Sequence, residues 1–137
     1  MKLNILFILI SISALSGVTF GQKAPTVRQR GKQIIEINNV MGKVSRLNCK
    51  SPATYRGRIA ERSFEDDGVT IAGLVLSDSK GKRQAIKFNR KQIKLLGQYS
   101  TNIVSTLLIT GKRVKVSTYE CSGSSGAFRY ADRIQAL

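Results

Sequence analysis

Between residues 89 and 111 the apolar residues follow a helical spacing, whereas on both sides of that stretch they alternate. This switch of period constrains the fold more than any other feature of the chain. Ile93, Leu96, Ile103 and Leu107 recur at spacings of three, seven and four, the stripe of one helix face. Tyr99 and Val104 widen the stripe. Asn89 is a good N-cap and Gly111 a good stop, while Gly97 lowers helix propensity inside the run. Upstream, residues 55–64, 69–76 and 84–88 read as three strands, separated by the turn signals Glu65-Asp66-Asp67-Gly68 and Asp78-Ser79-Lys80-Gly81-Lys82. Downstream, residues 112–121 put Val114, Val116 and Thr118 on one face and Lys115, Ser117 and Tyr119 on the other. Residues 122–126 form a hairpin loop, and residues 128–137 a last strand with Phe128, Tyr130, Asp132 and Ile134 on one face.

Three strands, a helix and two strands is the order of an OB-fold, a five-stranded Greek-key barrel with its helix between strands three and four. The expected fold is therefore mainly β with one helix, an OB-fold-like domain over residues 34–137. The amphipathic residues 34–40 fit a strand or a short helix, and the pattern does not separate the two. Residues 22–33 are polar and basic, hold Pro25 and Gly31, and lack apolar periodicity, so a flexible basic arm is expected there.

The first 21 residues have the layout of a secretory signal peptide. Lys2 precedes an apolar run from Leu3 to Ile10, and small residues follow. Cleavage after Gly21 is expected, with Ser16 as the alternative; Val18 stands where a lipoprotein signal would carry Cys. The mature protein is then secreted or periplasmic, with no integral membrane segment after cleavage. Export makes Cys49 and Cys121, the only two cysteines, an expected disulfide. Two separate thiols, or one intermolecular bond, are the alternatives. With no histidine in the chain, neither a tetrahedral metal site nor a Ser-His-Asp arrangement is expected, and no cofactor is implied.

Twenty-three basic residues face eight acidic ones, a formal charge of +15. Such an imbalance attracts polyanions and also keeps a protein soluble, and charge alone does not choose between the two. The candidate ligand-binding residues are Arg56, Arg58, Lys82, Arg83, Lys87, Arg90 and Lys91, as charge-assisted donors to phosphate, sulfate or carboxylate oxygens. Arg90 and Lys91 would stand at the helix N-terminus. Lys112, Arg113 and Lys115 form a further basic cluster. Tyr55, Phe64, Tyr119 and Phe128 are candidate stacking residues, but the chain has no Trp and these aromatics suit a core equally well. The acidic run 65–67 reads as a solvated hairpin tip, and no catalytic residue is assigned.

Three segments carry a resemblance: Arg56-Gly57-Arg58-Ile59-Ala60-Glu61, Gly111-Lys112-Arg113-Val114-Lys115-Val116, and Cys121 with Tyr130-Ala131-Asp132-Arg133-Ile134. They resemble small secreted bacterial OB-fold proteins. The run 55–88 is similar to periplasmic OB-fold stress proteins. The helix, Gly-Lys strand and Cys hairpin are similar to the pentamer-forming binding subunits of bacterial toxins. Together with the basic clusters, the expected function is an exported, non-catalytic binding protein whose basic face recognises an anionic ligand: a polyanion, a phosphate or sulfate group, or an acidic glycan. Its alternative is a ring-forming homo-oligomeric subunit or protein–protein interaction module.

Overall fold

The computed structural model describes residues 24–42, 48–50, 52–124 and 126–137. The signal-peptide expectation lies outside them. Eight strands follow in chain order: β1 (Thr26–Arg30), β2 (Gln33–Asn38), β3 (Asn48–Cys49), β4 (Ala53–Phe64), β5 (Ile71–Ser77), β6 (Arg83–Lys87), β7 (Arg113–Gly123) and β8 (Gly126–Ala136). All belong to one sheet.

β4 organises that sheet. Its first half pairs with β7, from Ala53 opposite Thr118 to Arg58 opposite Arg113. Its second half pairs with β5, from Arg58 opposite Ser77 to Phe64 opposite Ile71. Gly57 sits at the handover, where a Cβ would stand 2.5 Å from the Ser77 carbonyl oxygen. Only glycine lets the strand run this close to a second neighbour while still paired with the first. β5 then pairs with β6, β6 meets β8 in parallel at Lys87 and Tyr130, and β8 runs back antiparallel along β7. These pairings close a ring of five strands, in the order β4, β5, β6, β8, β7.

The helical stretch lies between β6 and β7, thus between the third and fourth ring strands in chain order. Where one helix is expected, the structure has several short helical pieces. Helix α1 (Arg90–Lys94) is followed by a 3₁₀ turn at Gly97–Tyr99, one α-turn at Ser100–Asn102 and a wide π-turn at Ile103–Leu107. The break falls at Gly97, the residue of weakest helix propensity in the run. The apolar stripe survives it: Ile93, Leu96, Ile103 and Leu107 are all buried, with Leu108 beside them. Asn89 caps α1 by accepting the Lys91 N–H at 3.1 Å. Arg62 donates through Nη1 to the carbonyls of Val104 and Leu108, at 3.3 and 3.2 Å. It satisfies backbone acceptors that an irregular helix end leaves open. The stripe packs onto Ile34, Ile37, Ile59, Leu74, Leu76, Ile86, Val114, Val116 and Ile134 to form the core.

Within the stretch expected as an arm, Thr26–Arg30 is strand β1, paired antiparallel with β2. Nearly all of its side chains are exposed, so a strand wetted on both faces leaves no apolar period to read. Residues 33–38 are the strand alternative of the open reading. β2 brings Ile34 and Ile37 into the core and carries a buried carboxylate, Glu36. Glu36 accepts from Arg133 Nε at 2.5 Å and lies 3.5 Å from Arg28 Nε, which ties the hairpin to β8. The expected single face of Phe128, Tyr130, Asp132 and Ile134 is also corrected. Ser117 faces Arg133 while Thr118 faces Ala131, so Asp132 is an extra residue and the alternation shifts. Ala131 and Ile134 are the buried pair.

Cys49 and Cys121 face each other across β3 and β7 and form a disulfide. That bond fits an oxidising compartment. Among the described residues no helix is long and apolar enough to cross a membrane.

Candidate functional site

The register converts scattered cations into rows on the outside of the ring. β7, β4, β5 and β6 place Arg113, Arg58, Ser77 and Arg83 opposite one another in one continuous row. One step along β4 and β7, Lys115 faces Arg56. In the other direction come Glu61, Val75 and Ala85, and then Ser63, Gly73, Lys87 and Tyr130. Successive rows lie two residues apart on β5 and β6, about 7 Å at the usual rise of a strand, while on β4 a bulge makes the step from Arg58 to Glu61 three residues.

The lower rows form an open groove of about 550 Å³ lined by β4, β5, β6 and Tyr130. Its floor is small: Gly73, Val75 and Ala85 stand where outward-facing strand positions usually carry large side chains. Gly73 is also a close approach, since a Cβ there would lie 2.9 Å from the Ile86 carbonyl. At one border Glu61 and Arg83 form an ion pair. At the other, Lys87 lies 3.9 Å from the centroid of the Phe128 ring, and Tyr130 is half-buried beside them. Lys87 is thus held over a ring by cation–π attraction, with its ammonium at the groove.

The upper rows border a second cleft of about 360 Å³, lined by Arg56, Gly57, Arg58, Ser77, Asp78, Ser79 and Arg113. A smaller one of about 230 Å³ continues from it to Tyr55, Lys82 and Gln84. Asp78 belongs to both, and its Oδ1 is engaged within its own turn, accepting from the N–H groups of Lys80 and Lys82 at 2.9 Å each. Arg58 donates to the Gly111 carbonyl at 3.1 Å, which fixes its guanidinium near the start of β7.

Of the seven residues expected from the sequence, Arg56, Arg58 and Lys82 line the upper clefts beside the end of β5, and Arg83 stands in the same row as Arg58, across Ser77. Lys87 stands at the far end of the groove. Arg90 and Lys91 are exposed on α1, a five-residue helix, and line neither groove nor cleft. Arg113 and Lys115 belong with the first four and were recognised only as a separate cluster. Among the aromatics, Tyr55 packs on the core and accepts from Arg129 Nε at 3.0 Å, and Phe64 is 37 % exposed with Arg62 beside its ring. Glu120 pairs with Arg129 at 3.7 Å and with Lys50 at 4.0 Å.

The acidic tip is a closed local structure. Asp67 Oδ2 accepts the Thr70 hydroxyl at 2.6 Å, and Oδ1 accepts the N–H groups of Thr70 and Val69 at 2.8 and 2.9 Å. The Thr70 hydroxyl first, then these two backbone donors, hold the Asp67 pKa down from 3.8 to about 2. Its lone pairs serve the turn. Among the described residues no group of His, Cys, Asp and Glu is arranged to hold a metal ion. No protein-family model, no curated protein and no solved structure matches this chain.

Proposed function

We propose that this chain is an exported, non-catalytic binding protein built on an OB-fold, and that it recognises an anionic ligand along the outside of β4, β5 and β6. The order of ring strands supports the fold, because the helix follows the third strand and a parallel step joins the third strand to the fifth. The leader-like N-terminus and the disulfide support secretion or a periplasmic site.

One observation carries the functional reading: the groove floor of Gly73, Val75 and Ala85 has small side chains, Lys87 lines one end, and Arg83 stands one row beyond the other end, paired with the lining Glu61. A sheet face stripped of bulk lets a ligand lie against the backbone. Lys87 at one end, and Arg83 where it exchanges Glu61 for the ligand, hold its charges by charge-assisted hydrogen bonds. Tyr130 adds a half-buried ring at the groove wall.

The test is retention and affinity on a sulfated polysaccharide such as heparin, measured as salt is raised. Lys87→Gln with Arg83→Gln is compared with Lys91→Gln with Arg90→Gln, which removes the same charge away from the groove. The groove variant is expected to lose roughly tenfold in affinity per lost charge-assisted bond, and the control much less. Equal losses would reduce the interaction to diffuse net charge and sink the assignment.

A further inference from the structure

The upper cleft calls for a separate explanation. Arg56 faces Lys115 and Arg58 faces Arg113, two like-charged pairs directly opposite each other on neighbouring strands. Side chains so placed have their Cβ atoms about 5 Å apart, and like charges in that position destabilise a sheet. Among the described residues none of the four forms an ion pair with a carboxylate, although Glu36, Glu61 and Glu120 are each paired with other cations. The repulsion is therefore left standing in the folded protein. It is concentrated where Gly57 and the 78–79 turn line a cleft of about 360 Å³. The one acidic group there, Asp78, has an oxygen committed to two backbone N–H donors. Arg56, Arg58 and Arg113 outnumber it.

We infer that this cleft is a binding site for a tetrahedral oxyanion group, a phosphate or sulfate, clamped by Arg56, Arg58 and Arg113 with Lys115 behind them. Planar guanidinium forks present paired donors to adjacent oxygens of such a group. Arg58 is oriented in advance by its bond to the Gly111 carbonyl. Ser77, between Arg58 and Arg83 in the row, adds a hydroxyl. The anion also cancels the cross-strand repulsion, so binding and folding stability are coupled. The site stands apart from the groove: it needs neither Lys87 nor the Gly73 floor, and it does not depend on the proposed polymer.

The experiment measures thermal unfolding and isothermal titration of the disulfide-intact protein with inorganic phosphate and with sulfate. Both are used at low millimolar concentration, well below the range where these ions act by exclusion from the surface. Sodium chloride at matched ionic strength is the reference. Saturable stabilisation is expected, roughly 5 °C at ten times the dissociation constant. Arg113→Thr should lose that shift, and in chloride it should unfold at a higher temperature than the wild type, because one like-charged pair is gone. Lys115→Thr repeats the test should Arg113→Thr fold poorly. Saturation by phosphate alone identifies a phosphate group, by sulfate alone a sulfate group, and either supports the site. A wild-type shift no larger than that of chloride overturns the inference, and so does a shift retained in both variants.

Discussion

Removing the disulfide tests how far the five-strand ring relies on a covalent tie. Cys49 and Cys121 are separated by 72 residues. On the chain-entropy relation, closing a loop of that length restricts the unfolded chain by about 4 kcal/mol. The folded state should change little. Beyond the bond itself, β3 is held to β7 by its two-residue ladder and by the Lys50 N–H on the Glu120 carbonyl at 2.9 Å, while the five-strand ring is closed by other pairings. Cys121 is fully buried, so Ala suits that position better than Ser, whose hydroxyl would need a partner. The perturbation is therefore Cys49→Ser with Cys121→Ala, and reduced wild type is the independent control. A loss of about 4 kcal/mol in urea unfolding is expected, with a fall of roughly 15 °C in thermal midpoint for a domain of this size. Far-UV circular dichroism of the native state should stay the same. A loss below about 1 kcal/mol would refute the argument that the bond acts by restricting the unfolded chain. So would a variant whose native spectrum collapses, since the ring would then depend on the bond directly.

Two further outcomes follow from the same geometry. Gly57→Ala drives a Cβ into the Ser77 carbonyl and should cost at least about 2 kcal/mol in denaturant unfolding, whereas Gly97→Ala, which meets nothing within 4 Å, should be neutral or stabilising. Asp67→Ala should lower the thermal midpoint at pH 6, because the folded turn favours the carboxylate over the acid. The sign follows from the lowered pKa: the stabilisation is fully present above the unfolded value of 3.8 and is lost as pH falls through about 2. The gap between variant and wild type should therefore close across that window, and a gap that is constant with pH would show that the charge plays no part.

Much of the ring was legible because its strands are wet on one face and dry on the other. Val114, Val116 and Thr118 are buried as their alternation requires, and the helical stripe from Ile93 to Leu107 is buried even though its helix is broken. Legibility failed where that contrast fails. β1 is exposed on both faces and left no period. In β8 the alternation slips at Asp132, whose carbonyl accepts the Val40 N–H at 3.1 Å just after β2. Nothing local to residues 128–134 announces a bulge whose bonding partner lies far upstream in the chain.

The candidate site shows the same division between what parity fixes and what register fixes. Alternation places Arg56 and Arg58 on the face away from Ile59, and Lys115 on the face away from Val114 and Val116. Both inferences need only the neighbouring residues. Which cation faces which depends on the pairing of β4 with β7, and that is set by the whole ring. A shift of one residue would turn every one of these cations inward, so the buried Val114, Val116 and Ile59 forbid it. A shift of two would keep them outside but put Arg58 opposite Lys115 and leave Arg56 opposite Ser117, with one like-charged pair fewer. The core does not object to that slip through side-chain parity; it is resisted by the backbone bonds between Ile59 and residues 111 and 112, by the Arg58 bond to Gly111 and by the tight passage of Gly57 beside Ser77. Two local features of the cleft thus add to the ring-wide pairing that holds the register concentrating four cations. That is the arrangement expected where a surface is kept repulsive for a ligand to neutralise.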